Sequence, residues 1–212
     1  FDDEIVAVTD ETFELAGYNT RTIKLAKKGE VVREDSHVRP SPLEMLAKIR
    51  PAFGGVQTGG NSSAIVDGAA AVVLASGAYV TETGKTPLAR IVACASVGVP
   101  PEIMGIGPVP AIRAVCEKAG IAVADVDRVE INEAFGAQIM ACARELGLDE
   151  AKLDVNGGAI AIGHPLGATG VRLTLTVSRE LKRRGLRYGI ASACIGGGQG
   201  IAMLVENPAF AG

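Results

Sequence analysis

Residues 166–206 read LGATGVRLTLTVSRELKRRGLRYGIASACIGGGQGIAMLVE, and this stretch decides the fold class. Its first half is basic at the end, with Lys182, Arg183 and Arg184 before Gly185. Cations there suit a helix dipole and glycine stops a helix, so a helix is predicted. YGIASACI and GIAMLVE follow as two buried strands around a glycine turn. Moving outward, the alternation continues. EAFGAQIMACAREL is a helix ended by Gly147, and VDRVEI is a short strand. PVPAIRAVCEKAG places Ile112, Val115, Cys116 and Ala119 at helical spacing, opened by proline and closed by Gly120. LARIVACASV, from Leu88, is a β-rich apolar run. Strands alternating with amphipathic helices predict an α/β layered domain. No short-period repeat underlies it.

The N-terminal part is different. Residues 1 to about 55 are dense in charge, and Pro40, Pro42, Pro51, Gly54 and Gly55 break them into a surface-rich, loop-dominated region. From Gly59 to Ser76 the chain reads GGNSSAIVDGAAAVVLAS, which suits a short buried helix followed by a buried strand. YVTETGKTP after it is polar and reads as a linker.

Composition narrows the function classes. Hydrophobic residues make up 48% of the 212 and charged residues 21%, enough for a sizeable core and against disorder. The net charge of −3 with no basic run makes nucleic acid a poor partner, and no apolar stretch is long enough for a membrane span. Cys94, Cys116, Cys142 and Cys194 are scattered without a CxxC pair, which argues for free thiols in a reducing compartment and gives no support for a metal site. The sequence opens directly in FDDEIVAV at Phe1, so a fragment of something longer is expected.

Three segments place chemistry at junctions between elements. In INEAFGAQ, Asn132 ends a strand before a helix and is either a functional amide or an ordinary N-cap. In IGHPLGATG, His164 precedes Pro165 and a helix; it is either reactive or a turn histidine bonded to backbone. In SACIGGGQG, Cys194 ends a strand before three glycines and is either a buried structural thiol or a reactive one. Glycines there let a substrate approach and expose N–H groups to a developing oxyanion. Together the three suggest acyl chemistry: a thiol that exchanges protons, a histidine that donates to a carbonyl oxygen, and an asparagine that positions a water. There is no G-x-S-x-G elbow, no phosphate loop, and no strand-to-helix context that would make GGGQG a dinucleotide site.

The motifs GGNSSAIVDGAA, EIMGIGPVPA, NEAFGAQ, NGGAIAIGHPLGATG and CIGGGQG, in this order from about Arg39 to Glu206, resemble the thiolases, which make or cleave 3-ketoacyl-CoA thioesters. The resemblance implies a thiolase-like layered α/β fold, a βαβαβ-type half with helices on a mixed sheet, incomplete in this chain. It divides the chain into the tail of a loop domain (1–58), the last part of an N-terminal half (59–86) and a C-terminal domain (87–212). It also implies roles. His164, with a water held by Asn132, supports the thioester oxyanion. Cys194 is the acid/base at the α-carbon, and the Gly196 N–H serves a second oxyanion hole. Ser63 contacts the pantetheine arm of CoA, Phe53 and Phe135 lie near that tunnel, and Arg39 lies near the CoA nucleotide. No cofactor is implied beyond CoA as substrate, and no metal.

The nucleophilic cysteine of the family sits in a C-S-S-G-like motif, which this sequence lacks; Cys94 in VACASV reads as a strand residue. The acyl-accepting cysteine is therefore expected outside this chain, and the chain alone is expected to be inactive. A two-piece arrangement is favoured over a truncated product, because a half-core would expose a large apolar patch. The resemblance further implies acyl-CoA and CoA as partners and a homodimer or homotetramer; a cytoplasmic location is expected. The alternatives are a biosynthetic acetoacetyl-CoA thiolase and a non-catalytic thiolase-like protein binding CoA or lipid. A decarboxylating ketoacyl synthase would be expected to carry a second histidine where Cys194 stands.

Overall fold

A computed structural model describes residues 1–14, 22–24 and 26–210 of the chain. It divides into two compact units, Phe1–Val38 and Arg39–Gly212. In the first, β1 (Thr12–Glu14) pairs antiparallel with β2 (Thr22–Lys24). Val8 bridges Val32, and the Asp10 carboxylate accepts from the Gly29 N–H at 2.8 Å.

The second unit begins with two short helices, α1 (Leu43–Leu46) and α2 (Gly77–Thr83). There follow β3 (Arg90–Gly98), a 3-10 turn at Pro101–Ile106, α3 (Pro108–Ala119), β4 (Arg128–Ile131) and α4 (Gly136–Leu146). The one-turn helix α5 (Ala159–Ile162), the long α6 (Thr169–Arg184), β5 (Tyr188–Ile195) and β6 (Gln199–Glu206) complete it. The four long strands form one mixed sheet in the order β3-β6-β5-β4. β6 runs antiparallel to β3 and β5, whereas β4 and β5 are parallel. A parallel pair cannot be closed by a hairpin, so the whole stretch from Asn132 through α6, which carries two of the three candidate motifs, lies in the crossover between them.

Strand alternation distributes the core over both faces of the sheet. Val129, Ile131, Ile190, Ala202 and Leu204 join Ile112, Val115 and Cys116 of α3 and Ile139 and Cys142 of α4 in one buried cluster. Ala191 and Val205 join Leu173, Val177 and Leu181 of α6 in another. Neighbouring residues 190/191 and 204/205 thus face opposite helices, giving the layered helix–sheet–helix arrangement predicted from residues 88–206.

Two readings are corrected. Residues 59–76 contain neither a helix nor a strand; residues 61–65 instead make isolated bridges to Phe135 and His164. Residues 69–76 have no ladder partner among the described residues, and Val73 and Leu74 are 96% and 76% exposed. An apolar strand forms only where another strand satisfies its N–H and C=O groups. The polar YVTETG is not a linker: it is the body of α2. The Ser76 side chain accepts from the Tyr79 N–H at 3.1 Å, and Gly84 closes the helix in the left-handed region at φ 64°.

Candidate active site

Asn132 lies one residue past β4. Its N–H donates to the Ser192 carbonyl at 2.9 Å, extending β4 alongside the end of β5, the strand that carries Cys194. The N-cap alternative fails. α4 begins only at Gly136, after an extended Phe135, and the Asn132 side chain does not reach its N–H groups. The reason is local: the Phe135 segment is drawn into pairing with Ser62, and the Gly136 N–H donates to the Asn61 carbonyl at 2.7 Å. Asn132 is 1% exposed, yet neither its Oδ1 nor its Nδ2 has a hydrogen-bond partner. A buried amide in that condition costs about 1–3 kcal/mol per orphaned group, so the site is built for a water or ligand atom to complete it.

Residues 61–65 act as a crossbar between two motifs. At one end the Ser63 N–H and hydroxyl donate to the Ala134 carbonyl at 3.1 and 3.3 Å. At the other the His164 N–H donates to the Ala64 carbonyl at 2.8 Å, and Ile65 bridges His164 in parallel register. Ser63, Phe135, Asn132 and His164 are thereby held in one neighbourhood by backbone. A second tie runs beside it. The Glu133 carboxylate accepts from the Ile160 N–H at 3.0 Å, and a Cβ on Gly158 would lie 2.5 Å from that carboxyl. A side chain at position 158 would therefore push the Glu133 carboxylate off the Ile160 N–H. Sequence reasoning missed Glu133; the signal was available in a glycine that opens a one-turn helix, where the first N–H groups need an acceptor.

The His164 ring bonds a side chain rather than backbone: Nδ1 lies 2.6 Å from Oγ1 of Thr169. Burial, and then the charge of Arg172, holds its pKa below the ordinary histidine range. Arg172 is itself paired with the buried Glu130 at 3.4 Å. Nearby, the Asp154 carboxyl accepts from the Ile131 N–H at 2.9 Å. Burial, followed by Glu130 and Glu133, pushes Asp154 well above the usual carboxylate range.

Cys194 is half-buried, and burial raises its thiol pKa, which keeps it protonated. Cys142 of α4 is fully buried, and its thiol is pushed up to about 11 by burial, with Cys194 as a smaller contributor. The turn after Cys194 leaves Gly196 exposed and holds Gly197 and Gly198 at φ 87° and 92°. The start of β6 then passes so close to the α3 entrance that a Cβ on Gly200 would sit 1.9 Å from the Gly107 carbonyl oxygen. Phe53 and Arg39 stand exposed, and no hydrogen bond or bridge among the described residues ties their side chains to the others. A cavity of about 430 Å³ lined by Arg90, Arg187, Glu206, Asn207 and Phe210 sits at the opposite end of β6. It is roughly 24 Å from the glycine turn by strand length and does not belong to this constellation. Among the described residues no cluster of potential metal ligands occurs, and no helix is long and apolar enough to cross a membrane.

A family model for the thiolase C-terminal domain matches residues 85–207, and one for the thiolase N-terminal domain matches residues 1–78. The chain belongs to the thiolase family. It is 52% identical over 185 residues to the acetyl-CoA acetyltransferase of Rhizobium meliloti (strain 1021), a match covering 85% of this chain and 47% of that protein. Its fold is similar to a crystal structure of human mitochondrial 3-ketoacyl-CoA thiolase in complex with CoA, with TM-score 0.79 and 49% identity over 84% of this chain and 46% of that one. The crystal structure of the Bacillus anthracis acetyl-CoA acetyltransferase gives TM-score 0.85 and 45% identity, covering 98% of this thiolase-family chain and 50% of the other. The chain spans about half the length of the curated relatives it matches.

Proposed function

We propose that this chain is the C-terminal portion of a thiolase-type acyltransferase that cleaves 3-ketoacyl-CoA with CoA, or runs the reverse condensation. The observation that carries the reading is the buried Asn132 amide without a partner, aligned with the end of β5 that carries Cys194 and stitched by residues 61–65 to His164. In cleavage, a cysteine thiolate outside this chain adds to the 3-keto carbonyl, and the bond between C2 and C3 breaks. The acyl group stays on sulfur, and the electron pair passes to C2 as the enolate of acetyl-CoA. The enolate oxygen accepts from the His164 ring and from a water held by Asn132, donors of the kind worth on the order of 10²–10³ in rate each. Cys194, kept as a thiol by burial, delivers its proton to C2; its thiolate then takes the proton of the incoming CoA thiol, whose sulfur removes the acyl group. The Gly196 N–H steadies the tetrahedral oxyanion of the acyl transfers.

In the same reading Ser63, Phe135 and Phe53 line the path of the pantetheine arm and Arg39 lies toward the nucleotide of CoA, which enters as substrate. The solved relative that holds CoA supports CoA as the ligand class. The division at 58 and 86, a homodimer or homotetramer and a cytoplasmic location belong to this proposal as well. A biosynthetic acetoacetyl-CoA enzyme is the second reading, favoured by the similarity to proteins named acetyl-CoA acetyltransferase.

The test uses the full-length protein and compares thiolysis of acetoacetyl-CoA with that of longer 3-ketoacyl-CoAs. Preference for longer chains is expected from the first reading, and restriction to acetoacetyl-CoA supports the second. Unchanged activity in His164→Ala or Cys194→Ser overturns the site assignment, and CoA binding without turnover of any chain length favours a binding protein.

A further inference from the structure

The hydroxyl of Thr169 has one hydrogen and two acceptors within reach: the Pro165 carbonyl at 3.0 Å and Nδ1 of His164 at 2.6 Å. That carbonyl already accepts the Ala168 N–H at 2.8 Å and the Thr169 N–H at 3.0 Å, which occupy its two lone pairs. The ring nitrogen is also the nearer of the two acceptors, at 2.6 Å against 3.0 Å. Both observations assign the hydrogen to the ring. We infer that Thr169 is a positioning residue: it donates to Nδ1 of His164 and so fixes the proton of the neutral imidazole on Nε2, which has no hydrogen-bond partner among the described residues.

Thr169 is suited to the task. It is 2% exposed, so bulk water does not compete for its hydroxyl, and as the first residue of α6 it is anchored by the helix itself. Burial, and then the charge of Arg172 further along the helix, disfavours the imidazolium. Burial and this turn of α6 together thus leave a neutral ring with its proton already on Nε2. Such a ring can donate to an oxyanion without first collecting a proton. This rests on the proposed role of His164 only in saying why Nε2–H matters.

The test is ¹⁵N NMR of the full-length protein labelled in histidine, with His164→Gln to assign the resonances. The expected spectrum at neutral pH shows a pyrrole-type Nε2 and a pyridine-type Nδ1, unchanged in Thr169→Ser. In Thr169→Val the Nε2–H preference is lost, and kcat for thiolysis falls on the order of tenfold with KM little altered, the size one neutral hydrogen bond supports. A protonated Nδ1 in the unaltered protein overturns the inference without any variant having to fold. Unchanged ring shifts in a folded Thr169→Val protein overturn it equally. The failures are separable: a protonated Nδ1 with His164→Ala inactive sinks only the tautomer, whereas Nε2–H with His164→Ala fully active sinks only the catalytic role.

Discussion

Residues 69–76, AAAVVLAS, and β6, QGIAMLVE, are similarly apolar, yet Leu204 and Val205 of β6 are 0% and 1% exposed while Val73 and Leu74 lie open. The difference is not in propensity. β6 has a ladder on each side, from β3 and β5, and a helix on each face, α3 and α6. Residues 69–76 have none of these among the described residues. Apolar composition states that a segment can be buried; only its neighbours make it a strand.

The sharpest way to break this contrast is Leu204→Ala, which should destabilise the chain by about 2–5 kcal/mol in chemical denaturation, because the cavity it leaves is walled by both α3 and the sheet. A loss near zero would mean that the sheet is not the stable core. Gly158→Ala comes next. Its methyl group meets the Glu133 carboxyl at 2.5 Å, so overpacking of about 1–3 kcal/mol is expected, with the Ile160 N–H losing its acceptor. Asp154→Asn is smaller and depends on pH. With its folded pKa raised, Asp154 contributes stability below its unfolded pKa and loses that contribution as pH rises through the folded value. The asparagine keeps the acceptor for Ile131 and has no charge to bury, so thermal melts should show the substituted chain losing less stability than the original toward alkaline pH. Least of all, Leu74→Ala in the isolated chain should change stability by no more than about 0.5 kcal/mol; a loss comparable to that of Leu204→Ala would show that residues 69–76 are packed after all.

The contrast also explains what could be read from sequence. From Leu88 to Glu206 local signals and tertiary partners agree: the predicted glycine stops at Gly120, Gly147 and Gly185 all adopt positive φ at helix ends. Upstream, the strand expected in 59–76 had no pairing partner among the described residues, and α2 was hidden because its polar surface resembles a linker until Ser76 and Gly84 are recognised as caps. At the candidate site the residue types were legible, since Asn132, His164 and Cys194 stand at element ends. Their supports were not. Glu133 acts on Ile160, 27 positions away, and Thr169 acts through a hydroxyl whose target depends on how the loop before α6 turns. The side-chain fate of Asn132 also required coordinates, since an N-cap and an unpartnered buried amide look alike in the sequence.

The crossbar at residues 61–65 has a bearing on how such a chain can change length. Because Ser63 is registered against Ala134 and Ala64 against His164, the spacing on each side of the bar is locked by hydrogen bonds. An inserted or deleted residue within 61–65 would displace Ala134 relative to His164 by about one strand step, roughly 3.4 Å, more than a hydrogen bond can absorb. Insertions are better tolerated at positions 147–152, whose turns lie outside both contacts. Lineages of this fold should therefore accumulate length variation there and spare the five-residue bar.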